Sequence, residues 1–374
     1  MNFRLSSLIL LLHIQDSLTL DSLTVTCNKQ NICAVRGTQV TLWCSYSNIN
    51  IKTVFWFSQK QRINWRNKDE PEDLTLDSDY SGRVIQEIRY YYSELKISDL
   101  RERDSGEYQL MFIMKDGVKH LSSVTVNLTV TVLQVMMNPE STEVKLICDS
   151  SCNLIYENYY WYKNGQYLAD GKSLFVSFSG NTDIYYCSQY INGKNTQSSS
   201  VCLSNSGCWG VTYTSTRVCA LVGSTVDIHS SYSHPTGYTV EETYWGLTNY
   251  NSLDLREVHQ FAGRVEFVGN TLRIKDVNMS DSGEYRFRII SNTSDVFSGN
   301  PGVILTVTGT QVISSPNPVI DGEKVILSCS TKCTLDRKHT YIWYKNGQQV
   351  TDGLRLFNKL YLNSINSEEI QEYA

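Results

Sequence analysis

The feature that most limits how this chain can fold is that it is written twice. "GTQVTLWCSY" at 37–46 returns as "GSTVDIHSSY" at 223–232, and "RERDSGEYQLMFI" at 101–113 returns as "NMSDSGEYRFRII" at 278–290. "VNLTVT" (126–131) is matched by "VILTVT" (303–308). Between them, "VKLICDSSCNL" (144–154) resembles "VILSCSTKCTL" (325–335), and "YYWYKNGQ" (159–166) resembles "YIWYKNGQ" (341–348). The offset is about 180 residues each time. The 374 residues are therefore a long unit followed by a short one, repeated.

Every unit carries the same signposts. An alternating apolar stretch is followed by a tryptophan: Trp56, Trp161, Trp245 and Trp343. The long units add Gly-Arg-Val, at Arg83 and Arg264, and then an Asp-Ser-Gly-Glu-Tyr turn ending at Tyr108 and Tyr285. Tyr185 is the counterpart in the second unit. Short alternating runs between turn signals, with 24 tyrosines and only 6 prolines, predict an all-β chain. A tryptophan behind the first core strand and a late tyrosine corner narrow this to tandem immunoglobulin-like β-sandwiches. The long units fit variable-type domains and the short ones constant-type domains, in alternation. The predicted boundaries are a signal peptide at 1–20, then domains at 21–133, 134–205, 206–308 and 309–374, the last incomplete. Arg83 with Asp104, and Arg264 with Asp281, stand where a salt bridge closes one end of a variable-type sandwich.

The leader reading rests on Arg4 followed by ten apolar-rich residues, Leu5 to Ile14, too short to span a bilayer. A secretory route permits disulfides. It also suits the glycosylation sequons at Asn127, Asn278 and Asn292. The last domain ends "EEIQEYA", one residue before the position where a core cysteine is expected after Tyr373. This reads as a break inside a strand, so the intact protein is expected to be membrane-anchored, at the cell surface, beyond Ala374.

In the second domain Cys148 and Cys187 sit where an inter-sheet bridge forms. Closing that 39-residue loop is worth roughly 4 kcal/mol in the chain-entropy model. Cys329 holds the first of these positions in the fourth domain. In the first domain Cys44 has Leu110 at the late position. In the third, Ser230 and Phe287 replace both cysteines, and packing of Trp245 on Phe287 must substitute. Cys33 and Cys219 recur in the long domains, Cys152 and Cys333 in the short ones. This points to two inter-domain bridges, Cys33–Cys152 and Cys219–Cys333. Cys27, Cys44, Cys202 and Cys208 have no assigned partners.

A variable-type domain linked by a disulfide to a constant-type neighbour, without the late-strand cysteine, resembles the sialic-acid-binding immunoglobulin-like lectins. The sialoadhesin and B-cell members, including those of bony fish, look most similar. The architecture covers essentially the whole chain. The most specific local match is "CWGVTYTSTRVCALVGS" with "SGEYRFRII" in the third domain. The resemblance implies a ligand site in which Arg288 grips a sialic-acid carboxylate while Trp209 and Phe297 cover apolar parts of the sugar. The first domain departs from that pattern, having Gln109, Leu110 and Met111 after Tyr108. Ser230 and the sequon at Asn292 are further departures.

A net charge of −5 offers no basic footprint for nucleic acid. No His-Glu-x-x-His, Gly-x-Ser-x-Gly or phosphate-binding glycine loop is present, so no enzymatic activity, metal or cofactor is expected. The expected function is the ectodomain of a cell-surface immune or adhesion receptor. Its partners would be sialylated glycoprotein or glycolipid glycans bound by the third domain. The alternative is a protein ligand on another cell, with no lectin activity, for which the tyrosine-rich "RYYYSEL" (89–95) is suited.

Overall fold

The computed structural model describes residues 23–374, except 48–49, 141, 153–157, 178–181, 192, 249–252, 333–338 and 352. The leader expected at 1–20 lies outside the described residues. What is described is all-β, with short 3-10 turns between strands, and it forms tandem immunoglobulin-like sandwiches.

In the first domain, Val25–Cys27, Val40–Tyr46, Tyr92–Ile97 and Val84–Ile88 form one antiparallel sheet. The other contains Asn31–Val35, Val126–Thr131, Gly106–Met114 and Ile51–Ser58, with Lys119–Leu121 at its edge. Asn31–Val35 runs parallel to Val126–Thr131, so the first strand changes sheets and closes the sandwich. Strict alternation drives the packing. Val40, Leu42, Cys44 and Tyr46 point into the core, and the residues between them face outward. The third domain repeats this plan. Gly210–Tyr213, Val226–Ser233, Thr271–Ile274 and Val265–Val268 face a sheet of Arg217–Leu221, Val303–Thr308, Gly283–Ser291 and Val240–Leu247. There too the first strand of that sheet pairs parallel with the last.

The second domain is simpler, a three-stranded sheet of Gln134–Pro139, Glu143–Asp149 and Ser173–Ser177 against a five-stranded one. The fourth has Thr310–Ser315, Val325–Thr331, Lys359–Leu362 and Leu354–Leu356 in one sheet, and a short Tyr344–Lys345, Gln348–Gln349 hairpin. Among the described residues the four recurrent tryptophans are the largest fully buried side chains, one per sandwich. Deleting a buried aromatic of this size costs about 3–5 kcal/mol, so each marks the centre of its own core.

The ends of the long domains are closed identically. Arg83 donates to both oxygens of Asp104, at 2.8 and 2.9 Å, and Arg264 does the same to Asp281, at 2.7 and 2.9 Å. These are bidentate charge-assisted pairs. The corner tyrosines sit beside them: Tyr108 donates to the Asp104 carbonyl at 2.7 Å and Tyr285 to that of Asp281 at 2.6 Å. Burial alone would raise the Asp281 carboxyl. Arg264, the Asn278 amide N–H and Gln260 outweigh that and hold it below the usual range.

Cys148 bridges to Cys187, and Cys33 of the first domain to Cys152 of the second. Cys27 bridges to Cys44, which lies directly opposite it in the sheet, and Cys202 to Cys208 across the boundary between the second and third domains. Cys219 is disulfide-bonded. Its expected partner Cys333 lies outside the described residues. Cys329 is a free, half-buried thiol whose pKa burial pushes up. In the third domain Trp245 meets Phe287 edge to face at 5.4 Å, filling the space of a bridge.

The chain then folds back. The fourth domain packs against the first through side chains of both. Lys359 ends on the Glu72 carboxylate, which also accepts from the Tyr361 hydroxyl at 2.8 Å. Ser81 and Ser330 share a hydrogen bond of 2.8 Å, and Asn358 donates to the Leu76 carbonyl at 3.1 Å. Beside these contacts lies a cavity of about 520 Å³, lined by Phe55 and Met111 on one side and Ile320 and Tyr361 on the other.

Candidate functional site

The third domain carries the residues singled out for glycan binding. Along Gly283–Ser291, Tyr285, Phe287 and Ile289 are buried, while Arg286, Arg288 and Ile290 face outward. This follows from alternation. Arg286 is held by Glu284, at 2.8 and 3.0 Å, and the same carboxylate oxygen receives the Gly302 amide at 2.9 Å. Arg288 is half-buried, between Tyr244 on one neighbouring strand and Ser298 on the other.

Phe297 does not join Arg288. It stands directly opposite Ile289, and directly opposed residues of an antiparallel pair share a face. Phe297 therefore faces the core side of the sheet and Arg288 the outer side. Trp209 follows Phe297. The two rings stack at 4.5 Å with planes 8° apart, and Tyr238 packs edge-on against the indole. Trp209 is only 3% exposed. Together these rings cap the open edge of the sandwich. The three-residue constellation expected from the resemblance is thus not assembled: two aromatics are core, and Arg288 stands apart from them. The motif "CWGV" is spent on packing. An apolar ring at a sandwich edge gains more from covering the core than from facing water.

The glycosylation sequons differ in setting. Asn127 and Asn292 are exposed, whereas Asn278 is half-buried and caps a 3-10 turn, accepting from the Ser280 amide at 3.0 Å.

A second candidate lies on the first domain. Residues 89–91 turn between the paired strands Val84–Ile88 and Tyr92–Ile97; on this hairpin Ile85, Tyr90 and Tyr91 are 67%, 66% and 62% exposed. The turn is not loose. Tyr46 reaches through the sandwich edge to donate to the Arg89 carbonyl at 2.7 Å, and its own amide donates to the Tyr91 carbonyl at 2.8 Å. Burial pushes the Tyr46 phenol up to about 12, so it stays a donor across the physiological range. The Tyr90 and Tyr91 rings meet edge to face at 4.6 Å. Adjacent Trp43 and Tyr92, 5.8 Å apart on the outer face, extend the aromatic surface. Two rigid aromatic side chains are presented to solvent with little freedom left to lose.

Among the described residues no group of His, Cys, Asp and Glu could hold a metal ion, and no helix is long and apolar enough to cross a membrane.

Paired antiparallel sheets, a buried tryptophan in each unit and a tyrosine corner define tandem immunoglobulin-type domains. Residues 28–131 match the immunoglobulin V-set domain. Among solved structures, the chain is similar to one on Dscam isoform specificity: 14% identity, 93% of each chain, TM-score 0.24. It is similar also to the N-terminal four Ig domains of Dscam1 isoform 6.9, at 15% identity over 92% of this chain and 93% of that one, TM-score 0.23. A complex of Dpr2 Ig1-Ig2 with DIP-Theta Ig1-Ig3 matches at 14% identity over 76% and 99%, TM-score 0.21. At these levels nothing those proteins bind carries over to this chain.

Proposed function

We propose that this chain is the ectodomain of a cell-surface adhesion or immune receptor, and that it binds a protein ligand through residues 85–92 of its first domain. The observation that carries this reading is the exposure of Tyr90 and Tyr91 on a turn fixed by Tyr46. Monomeric proteins seldom leave contiguous large apolar groups in water without a partner. Tyrosines of this kind are enriched at the energetic centres of interfaces, because they bury much area at low entropic cost. Glycan recognition by Arg288 lacks a comparable support. The aromatics expected to complete that site, Trp209 and Phe297, face the other way, and the ring that shares the outer face with Arg288 is Tyr244.

The two readings separate on cells. The multimerised full chain is used to stain candidate ligand-bearing cells before and after sialidase or protease treatment. Staining should survive sialidase, fail after protease, and fall by about tenfold or more with Tyr90→Ala/Tyr91→Ala. Loss of staining with sialidase, or with Arg288→Ala while the double tyrosine variant binds normally, would sink the protein-ligand reading.

A further inference from the structure

The contact between the first and fourth domains has an unfilled counterpart. By the repeat, the third domain corresponds to the first and the second domain to the fourth. "DLTLDSDYSGRV" (73–84) aligns without a gap on "DLREVHQFAGRV" (254–265), which sets Leu253 where Glu72 stands. On the other side, Lys145 corresponds to Ile326. Lys145 pairs across the sheet with Phe175, and Ile147 with Ser173; Ile326 pairs with Tyr361, and Ser328 with Lys359. Phe175 and Ser173 thus occupy the positions of Tyr361 and Lys359.

The two sets differ in exposure and in chemistry. Glu72 and Tyr361 are 8% and 6% exposed against each other, whereas Leu253 and Phe175 are 53% and 51% exposed. Where one pair of domains joins a carboxylate to an ammonium and a phenol, the other would join an isobutyl group to a phenyl. Serine replaces the ammonium. Lys145, at the place of Ile326, sets its ammonium 5.5 Å from the centre of the Phe175 ring, so the phenyl face is framed by a cation while Leu253 has shed the carboxylate of Glu72. The two central positions have changed from polar to apolar together. A second contact has its counterpart as well. Asp73 accepts from Ser315 at 3.3 Å, and the corresponding residues are Asp254 and Asn138, again an acceptor and a donor.

Leu253 and Phe175 are both left open to solvent in the single chain. The second and third domains are joined end to end, by Cys202–Cys208 and by the contact of Tyr186 with Asn300. We propose that the sheet carrying Phe175 docks on the Leu253 side of the third domain of a second copy of this chain. Two such contacts, related by a two-fold axis, make a closed dimer.

Sedimentation equilibrium of the glycosylated full chain tests this. The wild type should be a dimer. Leu253→Asp and Phe175→Asp should each raise its dissociation constant by about 30-fold or more, as loss of an interface anchor does. Both positions are exposed, so an unchanged melting temperature certifies that the variants fold. Rebuilding the ionic set, Leu253→Glu with Ser173→Lys and Phe175→Tyr, should restore the dimer. A wild-type chain that stays monomeric at every concentration, or a dimer that both aspartate variants leave intact, overturns the proposal.

Discussion

Lys359 reaches Glu72 across 287 residues of chain, and both side chains are withdrawn from water. The Tyr361 hydroxyl on the same carboxylate and the Asn64 carbonyl on the ammonium complete the set. Neither charge could be buried alone, because desolvation of an unpaired ion costs more than the contact returns.

Lys359→Met should open the first domain from the fourth. Removing one member of a buried pair costs about 3–5 kcal/mol, mostly from the charge left behind. Small-angle scattering should record a larger radius of gyration for the variant. Adding Glu72→Gln should recover part of the compaction, since it removes the stranded charge.

Trp209→Ala should act on stability. The indole is 3% exposed and stacked on Phe297, so its loss should lower the stability of the third domain by about 3–5 kcal/mol. Arg288→Ala, on the half-buried outer face, should change the melting temperature little. Differential scanning calorimetry of the two variants distinguishes them. A Trp209→Ala chain that melts like wild type would contradict the packing role.

The Arg264–Asp281 closure predicts an acid limit for the third domain. The Asp281 carboxyl is held below its ordinary pKa in the folded state. A depressed carboxylate contributes stability above its unfolded pKa, about 3.9, and loses it as the pH falls through the folded value. At pH 7, Asp281→Asn should cost about 1.5–3 kcal/mol, the worth of hydrogen bonds to a charged group. The gap between variant and wild type should narrow on acidification below pH 4. Melting curves from pH 7 to pH 3 follow it directly.

Cys44→Ser should weaken the first domain by opening a bridge that lies within one sheet and by placing a hydroxyl at a core position. Cys44 closes a 17-residue loop with Cys27, worth about 3 kcal/mol in the chain-entropy model. Trp56 remains packed opposite Leu110. Chemical denaturation of Cys27→Ser/Cys44→Ser should show a lower midpoint with an unchanged fold by far-ultraviolet circular dichroism.

How much of this was readable in the sequence depended on distance along the chain. The tryptophans, corner tyrosines and alternating strands are local signals, and the sandwich class follows from them because a strand's two faces are set by parity alone. The repeat carried information further, since a pattern seen twice singled out Arg83 with Asp104 and Arg264 with Asp281. The Cys27–Cys44 pairing was missed, although both cysteines lie on the first two strands of one sheet. Nothing local says that the cysteine facing Cys44 comes from the neighbouring strand instead of from the opposite sheet. The candidate site misled for a similar reason. "CWGV" and "SGEYRFRII" are separated by more than 60 residues. Whether Phe297 falls on the face of Arg288 turns on a one-residue register that composition does not encode. The return of the fourth domain to the first was not legible at all, because Glu72, Lys359 and Tyr361 each look like ordinary surface residues in their own segments.

A chain whose last domain meets its first has the reach of a bent arm. Four sandwiches laid end to end could extend toward a distant partner, but here the second and third form the elbow and the first is brought back beside the fourth. A partner of residues 85–92 must therefore come close to where the fourth domain is held, so the gap between two apposed surfaces, as much as the chemistry of Tyr90 and Tyr91, would decide when contact is made.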